Sequence, residues 1–241
     1  MVYSFSDAKI QYDFLQRGAE RTVVFLHGWG RTGEDFRQIA DAFESYNVLL
    51  LDFPPFGESS FKMPFPSIFT YVNMLISLCE HLGISSADFV GHSFGGRILI
   101  LLAVLKSSLV HSCIFVDSAG LKPKRKLSYR IKVFRYKIAI KFNKNFSCGS
   151  RDYLSLSPDM RELFKNIVNT HLDDFAKKIK QKTLIVWGEK DKETPLYMGR
   201  RLNKFIINSR IEIIKEASHF PFMDNKMEFV LRLKRFLKEQ E

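Results

Sequence analysis

The sequence predicts an α/β protein in which a mostly parallel, eight-stranded sheet carries helices on both faces. Short runs of continuous aliphatic residues alternate with segments of helical length, which is typical of parallel strands buried on both sides. The length of 241 residues suits one domain, and 46% hydrophobic residues can form a sizeable core. Glycine-rich or polar stretches follow many of the strands. Because the carboxyl ends of parallel strands meet at one edge of a sheet, we expect these stretches to share one rim, where ligands bind.

Each element is predicted from local residue patterns. The strands are short apolar runs bounded by turn residues, such as the β-branched run at residues 22–26. The helices are longer apolar or amphipathic segments; Ser157 is an N-cap for one of them and Gly83 ends another. The predicted strands are residues 2–5, 10–15, 22–26, 47–51, 87–90, 112–116, 183–187 and 211–214, and the predicted helices are residues 34–43, 67–82, 98–105, 158–171, 197–207 and 226–238.

Composition excludes several classes of protein. No apolar run reaches the roughly 18 residues that a membrane-spanning helix needs, and residues 1–10 lack the apolar centre of a signal peptide. Three widely spaced cysteines, Cys79, Cys113 and Cys148, favour a reducing, cytoplasmic setting over a disulfide framework. C-x-x-C and H-E-x-x-H motifs do not occur, so the sequence predicts neither a metal site nor a cofactor.

The charge of the chain is concentrated in one segment. Residues 118–151 contain eleven basic residues and no acidic one, whereas the whole chain has 37 Lys and Arg against 26 Asp and Glu, so this segment accounts for the entire net charge of +11. We interpret residues 121–181 as an insertion that forms a small, basic helical cap over the rim. The core domain would then comprise residues 1–120 and 182–241.

Two interpretations of the basic cap remain open. Apolar residues recur at helical spacing within it, which predicts a helix that lays its apolar side over the rim and exposes its charges to solvent. Alternatively, the charge is a docking surface for an anionic partner, such as an acyl carrier protein, a CoA-type thioester or acidic lipid. Nucleic acid is disfavoured because no recognition motif accompanies the charge. The apolar stripe consists of Leu127, Ile131, Phe134, Ile138 and Phe142.

A G-x-S-x-G motif places Ser93 between a predicted strand and a predicted helix. In that context the tight turn strains the serine backbone and lifts its hydroxyl above the edge of the sheet, at a helix N-terminus. Gly91 and Gly95 are needed because side chains there would collide with the neighbouring strand and helix. Taken alone, the motif is also compatible with an ordinary turn of small residues.

A serine nucleophile needs a base, and His219 is the best candidate. The base takes the hydroxyl proton, and a third group must fix its tautomer. His219 lies in the loop between the last predicted strand and the last predicted helix, at the rim. Among the other histidines, His92 points elsewhere on the sharp turn, and His27 is more often a residue that shapes its own glycine-rich loop.

Three aspartates at strand ends, Asp52, Asp117 and Asp191, are candidates for the third group, and Asp117 and Asp191 are weighed against each other. Asp191 follows an abrupt turn at a strand end and precedes Thr194-Pro195, a helix-start signal. It also gives the order Ser, Asp, His along the chain. Asp117 ends the strand beside the serine strand and remains the competitor. We favour Asp191 because of the form of its motif.

The oxyanion of a tetrahedral intermediate needs two N–H donors. The N–H of Phe94, which follows the serine, is one of them, and the N–H of Trp29, after His27-Gly28, is the other. The side chains of Trp29, Phe94 and Phe220 are expected to line the substrate pocket.

Together, four motifs make the chain resemble the α/β-hydrolase superfamily over nearly its full length. The resemblance implies a lipase- or esterase-like serine hydrolase with a small helical cap, related to carboxylesterases, to pimeloyl-ACP methyl ester esterases and to hydrolases that cleave C–C bonds of ring-fission products. One departure is Pro55, at a position where the family usually has glycine. The matching motifs are His27-Gly28-Trp29-Gly30, Gly91-His92-Ser93-Phe94-Gly95-Gly96, Trp187-Gly188-Glu189-Lys190-Asp191 and Ala217-Ser218-His219-Phe220.

The sequence thus predicts hydrolysis of a carboxylic ester or thioester through an acyl-Ser93 intermediate. His219 would take the serine proton and later activate water, and Asp191 would orient His219. Two alternatives remain: a C–C bond hydrolase that uses the same three residues, and a non-catalytic binding protein of the same fold.

Overall fold

The computed structural model describes residues 1–62, 66–124 and 156–240. Nine strands form one sheet in the described part of the chain. They are β1 (Val2–Phe5), β2 (Ala8–Leu15), β3 (Thr22–Leu26), β4 (Asn47–Leu51), β5 (Ser60–Phe61), β6 (Ala87–His92), β7 (Val110–Val116), β8 (Lys182–Gly188) and β9 (Ser209–Ile214).

The sheet is mostly parallel, as predicted. Its order is β1-β2-β4-β3-β6-β7-β8-β9, and the two-residue strand β5, which the sequence does not predict, pairs with β2. All pairings from β4 across to β9 are parallel, whereas β2 pairs antiparallel with β1, β4 and β5.

The strand register brings the carboxyl ends of the parallel strands to one edge. Gly91 is opposite Leu26, Val116 is opposite both His92 and Val186, and Gly188 is opposite Ile214. The loops that follow these strands therefore start side by side, as expected at the ligand-binding edge of such a sheet.

Eight α-helices are described, and they cover both faces of the sheet. Five consecutive helices, from the second to the sixth along the chain, pack on one face of the sheet. The first helix and the last two pack on the other face. They are α1 (Arg37–Ala40), α2 (Ile68–His81), α3 (Phe94–Leu105), α4 (Pro158–Asn169), α5 (Asp173–Ala176), α6 (Tyr197–Phe205), α7 (Pro221–Asp224) and α8 (Lys226–Lys238).

Alternate residues of the central strands enter opposite layers of the core. In β3, Val24 and Leu26 belong to one apolar cluster, whereas Val23 and Phe25 belong to the other. Successive side chains of a strand point to opposite faces, so a strand buried on both faces must be apolar throughout. Each such buried side chain contributes roughly 1.5–3 kcal/mol to folding.

The predicted helix at residues 34–43 is shorter in the structure. A 3-10 turn at Gly33–Phe36 leads into the single turn α1, and the chain then continues in tight turns. The Asp52 carboxylate accepts the N–H of Gly33 at 2.8 Å and holds the first turn against β4. This contact comes from a distant part of the chain and is not visible in helix periodicity.

The predicted helix at residues 158–171 is present as α4. Its N-cap is Ser157, whose hydroxyl accepts the N–H of Met160. The predicted apolar stripe between Leu127 and Phe142 lies outside the described residues. Within residues 1–62, 66–124 and 156–240, no helix has the length and apolar character needed to span a membrane.

Candidate active site

Ser93 occupies the sharp turn between β6 and α3. Its backbone has φ 47° and ψ −105°, a conformation rarely adopted by a residue with a side chain. A Cβ atom at Gly95 would collide with the Leu26 carbonyl, and one at Gly91 would approach the backbone of Gly96 to 2.9 Å. The glycines therefore let the start of α3 lie against β3 and β6, and α3 begins directly after Ser93.

Asp191 lies in the turn after β8, where several donors surround its carboxylate. The N–H groups of Glu193 and Thr194 donate to Oδ1 at 2.8 and 3.0 Å, and the Thr194 hydroxyl donates to Oδ2 at 2.6 Å. Burial opposes ionisation, but the hydrogen bonds from His219 and Thr194 outweigh it and lower the pKa of Asp191 to about 2.

His219 follows β9 and meets Asp191 across the rim. Its Nδ1 lies 2.9 Å from Asp191 Oδ2, and the side chain is almost fully buried. A Cβ atom at Gly188 would collide with the Ser218 carbonyl, so glycine is required where the two loops cross. The Asp191 contact places the proton on Nδ1 and leaves Nε2 free to act as a base.

His92 stabilises the His219 loop through a hydrogen bond. Its Nε2–H donates to the carbonyl oxygen of His219 at 2.8 Å, and the two rings lie 4.9 Å apart. Burial lowers the pKa of His92 to about 3, so this ring is neutral. The side chain next to Ser93 thus holds the candidate base in place.

His27 belongs to the glycine-rich loop after β3. Its Nδ1 contacts the Gly28 carbonyl at 2.7 Å, and its Nε2 accepts the N–H of Phe53 at 2.7 Å. Burial lowers its pKa to about 4. These bonds give His27 the loop-shaping role expected from the sequence.

A cavity of about 180 Å³ brings the predicted residues together. Ser93 and His219 both line it, and so do the three predicted pocket aromatics. The rings of Trp29 and Phe94 meet edge to face with centroids 5.6 Å apart. The lining residues comprise Gly28, Trp29, Arg31, His92, Ser93, Phe94, Arg97, Ala119, Phe164, Ile167, Val168, Glu193, Thr194, His219 and Phe220.

The two predicted oxyanion donors flank this cavity. Phe94 is the first residue of α3, where backbone N–H groups lack partners within the helix and the helix dipole favours negative charge. Trp29 lies in the loop after β3, and its ring packs between Phe56, Phe94 and Phe164.

Arg97 also lines the cavity, and we did not identify it from the sequence. The residue is 7% exposed, and its guanidinium donates to the carbonyls of Ile167, Thr170 and Val168 at 2.9, 2.8 and 3.2 Å. Burial lowers its pKa to about 10. The signal in the sequence was a charged residue at the start of an otherwise apolar helix.

Glu193 is a second cavity residue that the sequence analysis missed. Its carboxylate lies 3.3 Å from His219 Nε2, although the side chain is largely exposed. It stands two residues after Asp191, on the turn that carries the acid. The alternation of charges around Asp191 gave no indication of which side chain would face the cavity.

Asp117, the other candidate for the acid that orients His219, lies close to both Asp191 and His219. It is fully buried, and its Oδ1 accepts the N–H of Gly188 at 3.0 Å. Within the described residues, Asp117, Asp191 and His219 are the group of metal-ligand side chains close enough to share an ion, with atoms within 4.8 Å of one another. Asp191 and His219 are hydrogen-bonded to each other, and the Asp117 carboxyl group accepts from Gly188.

Comparison with known proteins identifies the fold family. The family model described as the alpha/beta hydrolase fold matches residues 21–148. YugF, an uncharacterised hydrolase of Bacillus subtilis, is 24% identical over 247 residues, and the match covers 90% of each chain. The pimeloyl-[acyl-carrier protein] methyl ester esterase of Neisseria meningitidis is 23% identical over 251 residues, with coverage of 91% of this chain and 94% of that enzyme.

A solved structure agrees in its fold. A meta-cleavage product hydrolase from Pseudomonas fluorescens superposes with a TM-score of 0.75 at 19% identity, over 97% of this chain and 96% of that chain. At this identity the likeness concerns the arrangement of the sheet and helices.

Proposed function

The chain belongs to the α/β-hydrolase fold family, and from that premise we propose that it is a serine hydrolase. The proposed reaction is cleavage of a carboxylic ester or thioester through an acyl-Ser93 intermediate. The observation that carries the proposal is the Asp191–His219 hydrogen bond of 2.9 Å at the edge of a cavity that Ser93 also lines.

In the proposed reaction, Ser93 Oγ attacks the substrate carbonyl while His219 Nε2 takes its proton. The N–H groups of Trp29 and Phe94 stabilise the oxyanion that forms. His219 then gives the proton to the leaving alcohol or thiol, which leaves the acyl-serine ester. Water, deprotonated by His219, attacks this ester and releases the acid and Ser93. Asp191 holds the tautomer of His219 and stabilises its protonated form.

The first prediction tests Ser93. We expect Ser93→Ala to lower kcat for a short-chain p-nitrophenyl ester by at least about 10³-fold, because only binding and the oxyanion donors remain. The same change should abolish labelling by a fluorophosphonate. Ser107→Ala, at an exposed position in the 3-10 turn that follows α3, is the matched control and should leave both readouts unchanged. Turnover by Ser93→Ala within a few-fold of the parent would exclude Ser93 as the nucleophile.

A screen of substrates separates the ester hydrolase from the C–C bond hydrolase. Both reactions would use the same three residues, so the variant alone does not distinguish them. Turnover of esters of graded acyl length, measured beside a vinylogous diketone ring-fission product, assigns the bond that is cleaved. Absence of both labelling and turnover would favour the non-catalytic alternative.

We also propose residues 121–181 as a cap that closes the cavity. Phe164, Ile167 and Val168 of α4 line one side of the cavity. Arg97 ties the end of α4 to α3. These contacts support a pocket formed between the cap and the loops at the sheet edge.

We propose that the basic part of the cap binds an anionic substrate carrier, such as an acyl carrier protein or a CoA thioester. The Neisseria relative is named as an esterase of an acyl-carrier-protein ester. The described start of the basic segment lies beside α6, where the Lys124 N–H donates to Tyr197 Oη at 3.0 Å and Lys124 Nζ lies 5.6 Å from the Tyr197 ring. The cytoplasm is the compartment we propose, because the described cysteines Cys79 and Cys113 are buried free thiols.

A further inference from the structure

Asp117 and Asp191 form a pair of buried carboxyl groups behind His219. One ligand-type atom from each of these three residues lies within 4.8 Å of the others. Both side chains are buried, Asp117 fully and Asp191 almost fully. Because two negative charges this close in a buried site repel each other strongly, we expect one member of the pair to carry a proton.

The surroundings of the two carboxyl groups decide which one carries the proton. Asp191 accepts from two backbone N–H groups, from the Thr194 hydroxyl and from His219, an environment suited to an anion. Asp117 accepts from the single N–H of Gly188, at 3.0 Å to Oδ1 and 3.4 Å to Oδ2. The proton therefore belongs on Asp117.

The charges around Asp117 also favour its protonated form. Its titratable neighbours are Asp191, His219 and Asp224. Burial raises the pKa of Asp117 well above its ordinary value, and the hydrogen bond with Asp191 and the negative charges of Asp191 and Asp224 raise it further. Among the groups of the described residues that act on the pKa of Asp117, none is a cation that would offset a second negative charge.

We propose that Asp117 is a positioning residue that stays protonated at neutral pH and donates its O–H to the Asp191 carboxylate. This bond fixes the orientation of Asp191 and, through Asp191, the ring of His219. The inference rests on the proposed function, since Asp117 is assigned the role of orienting one of the three proposed catalytic residues, Ser93, Asp191 and His219.

The backbone of Asp117 is held in the conformation that this role needs. Its φ of 40° is unusual for a residue with a side chain, and such strain is retained mainly where the side chain is required. Its N–H donates to the Val186 carbonyl at 3.1 Å, which anchors the backbone of Asp117 to β8. The carboxyl group therefore projects in a fixed direction.

Asparagine reproduces a protonated aspartate at this position. Its side-chain oxygen can accept from Gly188 while its NH₂ group donates to Asp191, and asparagine tolerates positive φ better than most residues. Asp117→Asn therefore keeps every bond of the proposed arrangement, whereas Asp117→Ala removes the donor. If Asp117 were instead the ionised triad acid, Asp117→Asn would be the damaging change.

The second prediction compares these variants by steady-state kinetics on a p-nitrophenyl ester, with folding checked by circular dichroism. We expect kcat of Asp117→Asn to stay within about threefold of the parent and kcat of Asp117→Ala to fall roughly 10- to 100-fold, the effect of losing one hydrogen bond to a charged group. A loss in Asp117→Asn as large as that in Asp117→Ala would overturn the proposal. Full activity in a folded Asp117→Ala would also overturn it.

A readout that does not depend on turnover keeps this inference separate from the proposed function. Infrared difference spectra of the parent against Asp117→Asn at neutral pH should contain the C=O stretch of a protonated carboxyl group, shifted in D₂O. Bands of ionised carboxylate alone would refute a protonated Asp117. The spectrum is informative even if Ser93→Ala retains activity, an outcome that would reject only the esterase proposal.

Discussion

At the scale of single residues, the proposed site depends on opposite charge states for two similar side chains. Asp191 and Asp117 end neighbouring strands, β8 and β7, and meet behind the same histidine. Donors surround Asp191, whereas burial and the negative neighbour dominate at Asp117. Two carboxyl groups whose environments move their pKa values apart are suited to different roles.

The third prediction follows from this difference. Asp191→Asn should lower kcat by about 10⁴-fold, because an amide favours the wrong tautomer of His219 and gives no charge to its protonated form. Asp117→Asn is the matched control, since it makes the same chemical change one strand away. Equal kcat values for the two variants would reject Asp191 as the triad acid, and a reversed order would assign that role to Asp117.

The sequence predicted the candidate-site residues that stand in motifs following strands. Ser93, Asp191 and His219 each follow a strand whose apolar pattern is clear, and parallel strands bring their ends together. Arg97 and Glu193 were not predicted. Their positions depend on how α4 docks and on how one turn is oriented, and both are set by contacts between distant segments.

At the scale of elements, α4 is joined to the core through its last turn. The final carbonyls of a helix lack partners within the helix, and a cation near them is favourable. Arg97 supplies this cation from the first turns of α3 and reaches three carbonyls at once. The same helix α3 therefore presents Ser93 at its start and holds one wall of the cavity four residues later.

The fourth prediction is that Arg97→Met weakens the packing of α4 against α3, and with it the side of the cavity that α4 forms. Three buried carbonyl groups would lose their donor, at a cost of at least about 2 kcal/mol in the free energy of unfolding. Because Ile167 and Val168 line the cavity, we expect KM to rise more than kcat falls. Urea unfolding and steady-state kinetics measure both effects.

Arg97→Lys is the control for charge in this experiment. It keeps a cation but reaches fewer carbonyls, so its stability and KM should lie between those of the parent and Arg97→Met. An unchanged KM in Arg97→Met would show that α4 holds its place without this arginine.

Helix boundaries show where the local sequence is sufficient to predict the extent of an element. α8 has the predicted bounds, Lys226–Lys238, because its amphipathic pattern and the Asn225 cap are local features. The predicted helix at residues 34–43 is broken into short turns, since the Asp52 carboxylate fixes its start from the neighbouring strand β4. Periodicity indicated that this segment is helical, and a long-range contact determined its length.

At the scale of the whole molecule, the charge is distributed unevenly along the chain. The chain outside residues 118–151 is balanced, with 26 basic and 26 acidic residues, whereas that segment carries the net +11. Its described start, Lys122 and Lys124, follows β7 at the edge where the cavity opens. A field of one sign beside a cavity raises the encounter rate with anions.

The last prediction tests whether this charge recognises a substrate carrier. Reversal of Lys124, Arg125 and Lys126 to Glu should raise KM for a carrier-linked or CoA-linked ester and leave KM for a small neutral ester nearly unchanged. The difference should fade as salt rises, because the Debye length falls from about 30 Å at 0.01 M to about 10 Å at 0.1 M. Steady-state kinetics on both substrates at both salt concentrations measures the effect.

The matched control reverses three exposed lysines on the opposite face of the sheet. Lys226, Lys234 and Lys238 lie on α8, which packs on the face away from α4, so their reversal changes the net charge equally without altering the field at the cavity. We expect this variant to keep the parent KM for the carrier-linked ester. If both triple variants raise KM alike, net charge rather than the position of the basic segment governs binding. If neither does, the segment is a solvated surface and the proposed anionic carrier is wrong.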